Sequence, residues 1–335
     1  MTSVAAPATT FADLVDGAAG RVVCLSMSKD PNAKLTVLLF DQGQAQPSRV
    51  AKVPTTDAAA RTIDAEAAVL AGLHQMDLGP LADTIPKLWP MADDHGRPVL
   101  VTSALTGRQM LAVYHTWRHT ARPSAVSADF AAAGEWLAQL AQRTCSGHRD
   151  LATMLDSAAE VIERRFADDP ATSSDVRALA ALREQLAGHL VPQVVVHNDF
   201  WPGNLLVDQE RISGVIDWEG ASLEGSAVRD VAHFALTYSL YLDRHTRSGR
   251  RVAGHRGLRA GVWGAGLDYA VGGVGWYPTL VQSFVTDGLE RLGVPAHLCR
   301  PVLLAEIACV AAEADHPEFA RNHLLAFRRL SQARS

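Results

Sequence analysis

Val194-Val195-Val196-His197-Asn198-Asp199-Phe200-Trp201-Pro202-Gly203-Asn204-Leu205-Leu206-Val207 decides the reading of this chain. It sets a carboxylate and, five residues on, a carboxamide on a short loop between two apolar runs. Thirteen residues past Asn204 comes Ile216-Asp217-Trp218-Glu219, a second carboxylate leaving a third apolar run. Such runs read as short strands, which places the oxygen-bearing side chains in the turns between them. Phosphoryl transfer from a nucleotide calls for this set. One Asp orients and deprotonates the attacking hydroxyl, while an Asn and another Asp hold the magnesium that neutralises the phosphates. Asp199 alone reads equally as an acid capping the turn before Pro202; its conjunction with Asn204 and Asp217 favours the chemistry.

Asn204 and Asp217 offer hard oxygen donors, which suit Mg²⁺ rather than zinc. Asp208, Glu219 and Glu224 rank below them, as surface charge. His197 reads as a core histidine tying the loop backbone together, and Asp230 as a structural acid that caps the next helix or braces the loop. Trp201 and Trp218 read as walls that exclude water. Lys52 sits mid-strand in Val50-Ala51-Lys52-Val53, and Glu66 lies on the following helix between Ile63 and Leu70. A lysine among apolar neighbours either reaches out to solvent or is held by an acid; a Lys52–Glu66 pair would position nucleotide phosphates.

The flanking sequence supplies the scaffold. Arg21–Ser26, Leu35–Phe40 and Arg49–Val53 read as an antiparallel meander. A helix over Thr56–Leu73 buries Ala60, Ile63, Ala67, Leu70 and Leu73. Lys87–Met91 and Pro98–Thr102 flank Asp93-Asp94-His95-Gly96, a hairpin signal. Helices are expected over Ala128–Thr144, with Ser127 as N-cap, over Asp150–Phe166 and Ser174–Leu190, and again from Asp230 to the end. The glycine-rich Gly264–Gly275 reads as a flexible loop or helix junction. The fold class is α+β, with residues 1–104 forming a five-stranded antiparallel lobe with one helix and residues 105–335 a mainly helical lobe.

With 335 residues, 48% of them hydrophobic and 20% charged, the chain has the composition of a globular protein with a sizeable core. A net charge of −5 gives no global basic field for nucleic acid or an anionic membrane. Residues 1–19 lack a basic segment and carry Asp13 and Asp16, so they do not read as a secretory signal, and the opening Thr/Ala/Pro residues read as a frayed tail. No apolar run approaches the roughly 18–20 residues of a membrane span. Cys24, Cys145, Cys299 and Cys309 are scattered, as thiols in a reducing cytoplasm would be.

These residues resemble the aminoglycoside phosphotransferase and choline kinase-like family, a branch of the protein-kinase-like fold. The resemblance rests on His197-x-Asp199-x-x-x-x-Asn204 with Phe200-Trp201-Pro202-Gly203 inside it, on Ile216-Asp217-Trp218-Glu219, on Lys52 and Glu66, and on the Leu105-Thr106-Gly107 link between lobes. It implies a bilobal fold that binds ATP (or GTP), the base meeting backbone near Thr102, Ser103 and Leu105. It implies Asp199 as catalytic base, Asn204 and Asp217 as Mg²⁺ ligands, and Lys52 as a phosphate contact. The chain departs from it at Ser26-Met27-Ser28-Lys29-Asp30, where a glycine-rich loop is absent and Ser28 is left as a phosphate contact, and at Ser103, where relatives often carry an acid.

The acceptor is a hydroxyl of a small molecule or a peptide. Arg244, His245, Arg247, Arg250, Arg251, His255, Arg256 and Arg259 make a basic stretch in which Asp243 is the one acid. Facing the acceptor, it would repel a polycation and favour an anionic or neutral substrate; otherwise it is a solvated, partly disordered loop. Glu313, Asp315 and Glu318 keep an aminoglycoside acceptor open. A Ser/Thr kinase of a ribosomal precursor peptide, working with a partner lyase, and a nucleotide-binding pseudokinase scaffold are the remaining alternatives.

Overall fold

The computed structural model describes residues 10–17, 21–27 and 32–332, so Ser28 lies outside the described residues. The chain divides into two compact units, one of Met1–Gly107 with Ser213–Ala221, the other of Arg108–Ile212 with Ser222–Ser335. Asp217 is therefore described with the first unit.

In the first unit, helix α1 (Phe11–Gly17) precedes strands β1 (Arg21–Met27), β2 (Lys34–Phe40) and β3 (Arg49–Pro54); helix α2 (Asp57–His74) follows, then β4 (Ala92–Asp94) and β5 (Arg97–Ser103). The five strands form one antiparallel sheet in the order β1-β2-β3-β5-β4. Alternating residues Val37, Leu39, Ala51, Val53, Val99 and Val101 build its core, against which Phe11 and Leu14 of α1 pack. Thr56 caps α2, its hydroxyl accepting the Ala59 N–H at 3.1 Å. The hairpin turn at His95-Gly96 has positive φ at both residues, the pairing such a turn demands. The expected strand over Lys87–Met91 is displaced to Ala92–Asp94. Lys87 and Trp89 do bond to the backbone of β5, but Pro90 has no N–H to continue the ladder.

The second unit holds β6 (Arg108–Gln109), α3 (Met110–Tyr114), α4 (Pro123–Thr144), β7 (Gly147–Asp150), α5 (Ala158–Arg165), α6 (Thr172–Leu186), β8 (Leu190–Val196) and β9 (Leu205–Asp208). Strand β10 (Arg211–Val215) carries the chain out, and β11 (Ser222–Ser226) returns it to α7 (Val228–Leu240), α8 (Ala265–Gly272), α9 (Trp276–Arg291), α10 (Cys299–Glu313) and α11 (Pro317–Gln332). Helix α4 starts a turn before the expected Ser127, at Pro123, whose fixed φ and missing N–H suit a first helical position. The expected Asp150–Phe166 helix is shorter, a 3-10 turn over Leu151–Leu155 preceding α5. The glycine-rich stretch is a helix junction, not a flexible loop: Gly264 precedes α8, and residues 273–275 join α8 to α9. It contains α8, and a Cβ on Gly266 would lie 2.0 Å from the Ser239 carbonyl oxygen, so glycine there permits two backbones to touch.

Phe130 and Phe284 meet edge to face at 5.0 Å, and Phe130 meets Phe234 and Tyr238 at 5.2 and 4.9 Å. This aromatic core, from α4, α7 and α9, underlies the loop between β8 and β9, whose Phe200 is fully buried and stacks on Trp136 at 5.2 Å. The loop is tied from the other side by Asp230, in the first turn of α7. One carboxylate oxygen accepts the His197 N–H at 2.7 Å and the other the Asn198 N–H at 2.9 Å. Asn198 is held at φ +62°, a conformation costly for a non-glycine residue unless its surroundings fix it. Asp230→Ala leaves two buried donors without a partner, so we expect a loss of about 2–5 kcal/mol in denaturant unfolding, with Asp230→Asn losing less because it keeps one acceptor. An unchanged unfolding midpoint in the alanine variant would show that the clamp carries no stability.

Candidate active site

In the first unit, three of the residues singled out from sequence meet directly. Lys52 Nζ donates to Glu66 Oε1 and Oε2 at 2.7 and 2.6 Å and to Asp217 Oδ1 at 2.7 Å. The placement follows from local pattern. On β3, Ala51 and Val53 face the core and Lys52 the opposite side. On α2, Glu66 stands in the buried stripe Ala59, Ile63, Leu70, Leu73, a position that a helix normally fills with an apolar residue. Burial alone would lower the Lys52 pKa; the Glu66 and Asp217 carboxylates outweigh it and hold the ammonium raised. Glu66 Oε1 also accepts the Trp218 N–H at 3.1 Å. The fully buried Trp218 donates its indole N–H to the Val215 carbonyl at 2.9 Å, fixing the 3-10 turn Trp218–Gly220. That turn holds Asp217 at φ +69°.

Two further residues belong to this cluster. Lys34, buried at the start of β2, lies 3.9 Å from Asp217 Oδ1 and pairs with Glu219. Its pKa is lowered, first by burial and then by the Lys52 charge. Glu219, ranked as surface charge from sequence, is an ion-pair partner instead. Glu66, Asp217 and Glu219 bring ligand oxygens within 4.8 Å of one another, so a set of hard donors sits beside two ammonium groups.

Thr102 and Ser103 end β5. Thr102 is buried opposite Val50, and Ser103 both accepts the Lys87 N–H with its hydroxyl at 2.9 Å and donates its own N–H to the Lys87 carbonyl at 2.8 Å. The polar groups of Ser103 thus secure the strand edge. Leu105, half-buried, follows it.

In the second unit, Asn204 and Asp199 are joined. The Asn204 amide N–H₂ donates to Asp199 Oδ2 at 2.8 Å and to the Asp199 carbonyl at 3.0 Å. This assigns the amide's orientation and turns its oxygen away from Asp199. Asp199 is exposed, whereas Asn204 is buried. The loop is pinned further by Gln109, whose amide donates to the Gly203 carbonyl at 2.5 Å, and by the Leu111 N–H on the Pro202 carbonyl at 2.9 Å. Gly203 is required sterically, since a Cβ there would stand 2.2 Å from the Trp201 ring. His197 is fully buried, as expected of a loop-bracing residue.

Sequence reasoning missed His233 and Glu306. The His233 ring places Nδ1 2.8 Å from Glu306 Oε1 and Nε2 3.5 Å from Asp199 Oδ1. Burial would lower the His233 pKa, but the Asp199 and Glu306 carboxylates raise it to about 10. Glu306, with no exposed surface, also lies 3.5 Å from Arg229 Nε, and Arg229 pairs with Glu313. The available signal was a histidine and a glutamate each alone in an apolar helix, Val231-Ala232-His233-Phe234-Ala235 and Leu304-Ala305-Glu306-Ile307.

The basic stretch is folded. Backbone bonds link Gly249 to Ala260, Ala260 to Arg250 and Val252 to Leu258. His255 is buried and its ring meets the Thr120 carbonyl at 2.8 Å, so it anchors the loop and leaves the arginines exposed. Arg244 lies over the Tyr241 ring at 5.5 Å, and Tyr241 lies 6.0 Å from Trp201 of the Asp199 loop.

Residues 35–263 match the family described as the phosphotransferase enzyme family. No curated protein matches the chain. Among solved structures, it is similar to macrolide 2'-phosphotransferase MphH from Brachybacterium faecium, at 16% identity and a TM-score of 0.52 over 96% of this chain and 98% of that one. It is similar to a thermostable mutant of aminoglycoside phosphotransferase APH(4)-Ia in ternary complex with ADP and hygromycin B, at 17% identity and a TM-score of 0.54 over 96% and 98%. Choline kinase LicA from Streptococcus pneumoniae superposes with a TM-score of 0.55 at 12% identity, over 93% and 92%. Among the described residues, no helix is long and apolar enough to cross a membrane. With more than half its length matched to the family and its fold shared with these enzymes, the chain belongs to the phosphotransferase enzyme family and is a kinase of the protein-kinase-like fold.

Proposed function

We propose that the chain transfers the γ-phosphoryl group of ATP to a hydroxyl of a small anionic or neutral molecule. The observation that carries this reading is the pairing of an exposed carboxylate, Asp199, with an amide, Asn204, that is oriented by it. An acceptor hydroxyl must give up its proton as it attacks phosphorus, and Asp199 is the carboxylate open to take it. The Phe200–Trp136 stack and the Asp230 clamp restrict that loop, so the base is held in position before substrate arrives. Lys52, kept charged by Glu66, supplies a fixed positive group for nucleotide phosphates. The nucleotide base is assigned to the backbone around Thr102, Ser103 and Leu105. The ADP in the aminoglycoside phosphotransferase complex supports an adenine nucleotide.

Magnesium fits the donors present. The Asn204 amide oxygen, oriented by its own N–H₂ contacts, and the Asp217 carboxylate are hard ligands of the kind Mg²⁺ takes beside phosphate and water. When bound, the ion would neutralise phosphate charge. Asn204 and Asp217, each in its own unit, are the residues we assign to it; within the first unit Glu219, paired with Lys34, brings an oxygen near Asp217.

An anionic or neutral acceptor is favoured by the row Trp201, Tyr241, Arg244, which leads from the Asp199 loop to exposed arginines. Glu313 is paired with Arg229, while Asp315 and Glu318 are exposed, so an aminoglycoside acceptor stands as the second reading.

The following outcomes test this reading. Asp199→Asn should lower turnover by about 10²–10⁴-fold with nucleotide affinity nearly intact; full turnover would remove Asp199 from the chemistry. Asp217→Asn should weaken binding of magnesium–ATP, by calorimetry, far more than binding of ATP in chelator, and equal effects on both would refute its role as a metal ligand. A transfer screen with labelled ATP over phosphorylated and carboxylated metabolites, sugars, nucleosides, choline, macrolides and aminoglycosides should find the acceptor. For that acceptor, Arg250→Ala/Arg251→Ala should raise KM several-fold at constant kcat; unchanged kinetics would make the basic loop a bystander. Tight nucleotide binding with no transfer or hydrolysis would favour a scaffold.

A further inference from the structure

One buried side chain outside the phosphate-binding set, His233, reaches Asp199, and a second, Glu306, holds it from behind. Helix α7 is buried nearly all round, from Val231 through Leu236. His233 stands in that run with one ring nitrogen 2.8 Å from Glu306 and the other 3.5 Å from Asp199 Oδ1. Glu306 stands on α10 in a run as apolar, with no exposed surface. A charged pair in such a setting costs several kcal/mol to desolvate unless each member is compensated. Glu306 is compensated twice, by His233 and by Arg229 at 3.5 Å. His233 faces Asp199 and Glu306 directly, Asp230 lies a turn earlier on its own helix, and His323 of α11 is the other titratable group that senses it.

The geometry points to His233 as a positioning residue for the phosphotransfer reaction, a cation braced by Glu306 that fixes one carboxylate oxygen of Asp199 while Asn204 fixes the other. The consequence is rotational. Asp199 is exposed, so nothing packs around its carboxylate, and an unrestrained side chain would sample several rotamers. The two contacts lie at opposite oxygens, a hydrogen bond from Asn204 Nδ2 at 2.8 Å and an ion-pair approach of His233 Nε2 at 3.5 Å, and together they narrow the orientations open to the carboxylate. The longer contact is of the kind that tightens when substrate completes a site. Displacing a reacting group by about 1 Å is enough to cost on the order of 10²-fold in rate, so the brace acts on turnover and not on nucleotide binding. The burial of Glu306 follows from the same requirement: an imidazolium stays charged inside a protein only if a carboxylate faces it.

This inference rests on Asp199 being the base, and its test separates the two. The probe is magnesium–ATP with water as acceptor, followed by phosphate release, alongside ATP affinity and denaturant unfolding. His233→Gln should lower kcat by roughly 10–100-fold with KM for ATP within about twofold of wild type. Glu306→Gln, which touches neither Asp199 nor nucleotide, should move kcat in the same direction with KM likewise unchanged. A wild-type kcat for His233→Gln beside a slow Asp199→Asn overturns the positioning role and leaves the base intact. A wild-type kcat for Asp199→Asn overturns the base reading itself. If His233→Gln fails to fold, ¹⁵N-histidine NMR of the wild-type enzyme decides. At pH 8, where His323 is neutral because burial pushes it down to about 4, His233 should carry protons on both ring nitrogens. A neutral ring at that pH would sink the proposal.

Discussion

The carboxylate of Asp230 is the contact on which the rest of the second unit's chemistry depends. The turn after β8 places Asn198 in a left-handed conformation and leaves two consecutive backbone N–H groups pointing inward, and one buried carboxylate satisfies both. Burial pushes the Asp230 pKa up, and the two N–H donors with the His197 ring oppose this. Without such an anchor, Asp199 and Asn204 would be residues of an ordinary surface turn. With it, and with Phe200 inserted against Trp136, the loop becomes a rigid shelf for a carboxylate and an amide that hold each other.

The first unit uses the same device with opposite sign. There the buried group is an ammonium, and the compensating charges come from a helix and a 3-10 turn. Lys52 binds Asp217 as well as Glu66, so the acid assigned to magnesium is also an ion-pair partner. Lys34 and Glu219 extend the cluster into five alternating charges, Glu66, Lys52, Asp217, Lys34 and Glu219. Alternation gives each charge an opposite neighbour in place of a bulk counter-ion. A lone buried lysine would respond by losing its proton.

Much of this was legible in the sequence because it is local. β-branched runs separated by turn residues marked the strands around Asp199 and Asp217, and a glutamate in the apolar stripe of α2 marked the partner of Lys52. The same local logic misplaced elements where one residue overrode the pattern. Pro90 ended backbone pairing where alternation continued, Pro123 started α4 before Ser127, and Gly266 looked like loop composition although it serves a close helix contact. Lys34, His233 and Glu306 were illegible for another reason. Periodicity reports which face of an element is buried, not which charge it will meet, and the partners of these residues are far away in sequence: Lys34 meets Glu219, and His233 meets Glu306 across a separation of 73 residues.

Two buried histidines in the second unit show that partners, not burial, decide what such a residue can do. His323 has its ring nitrogen on the Phe319 carbonyl and its faces against Trp263 and Phe319. A carbonyl carries no net charge, burial dominates, and its pKa falls to about 4. His233 is buried as thoroughly, yet two carboxylates reverse the direction and take it to about 10. One histidine therefore meets a neutral carbonyl, and the other meets two carboxylates, one of them the exposed acid of the loop. An apolar side chain at position 233 would fill the helix interface at less desolvation cost, so packing gives no reason for the charge. At its far end the ring faces Asp199, the carboxylate of the loop that solvent reaches.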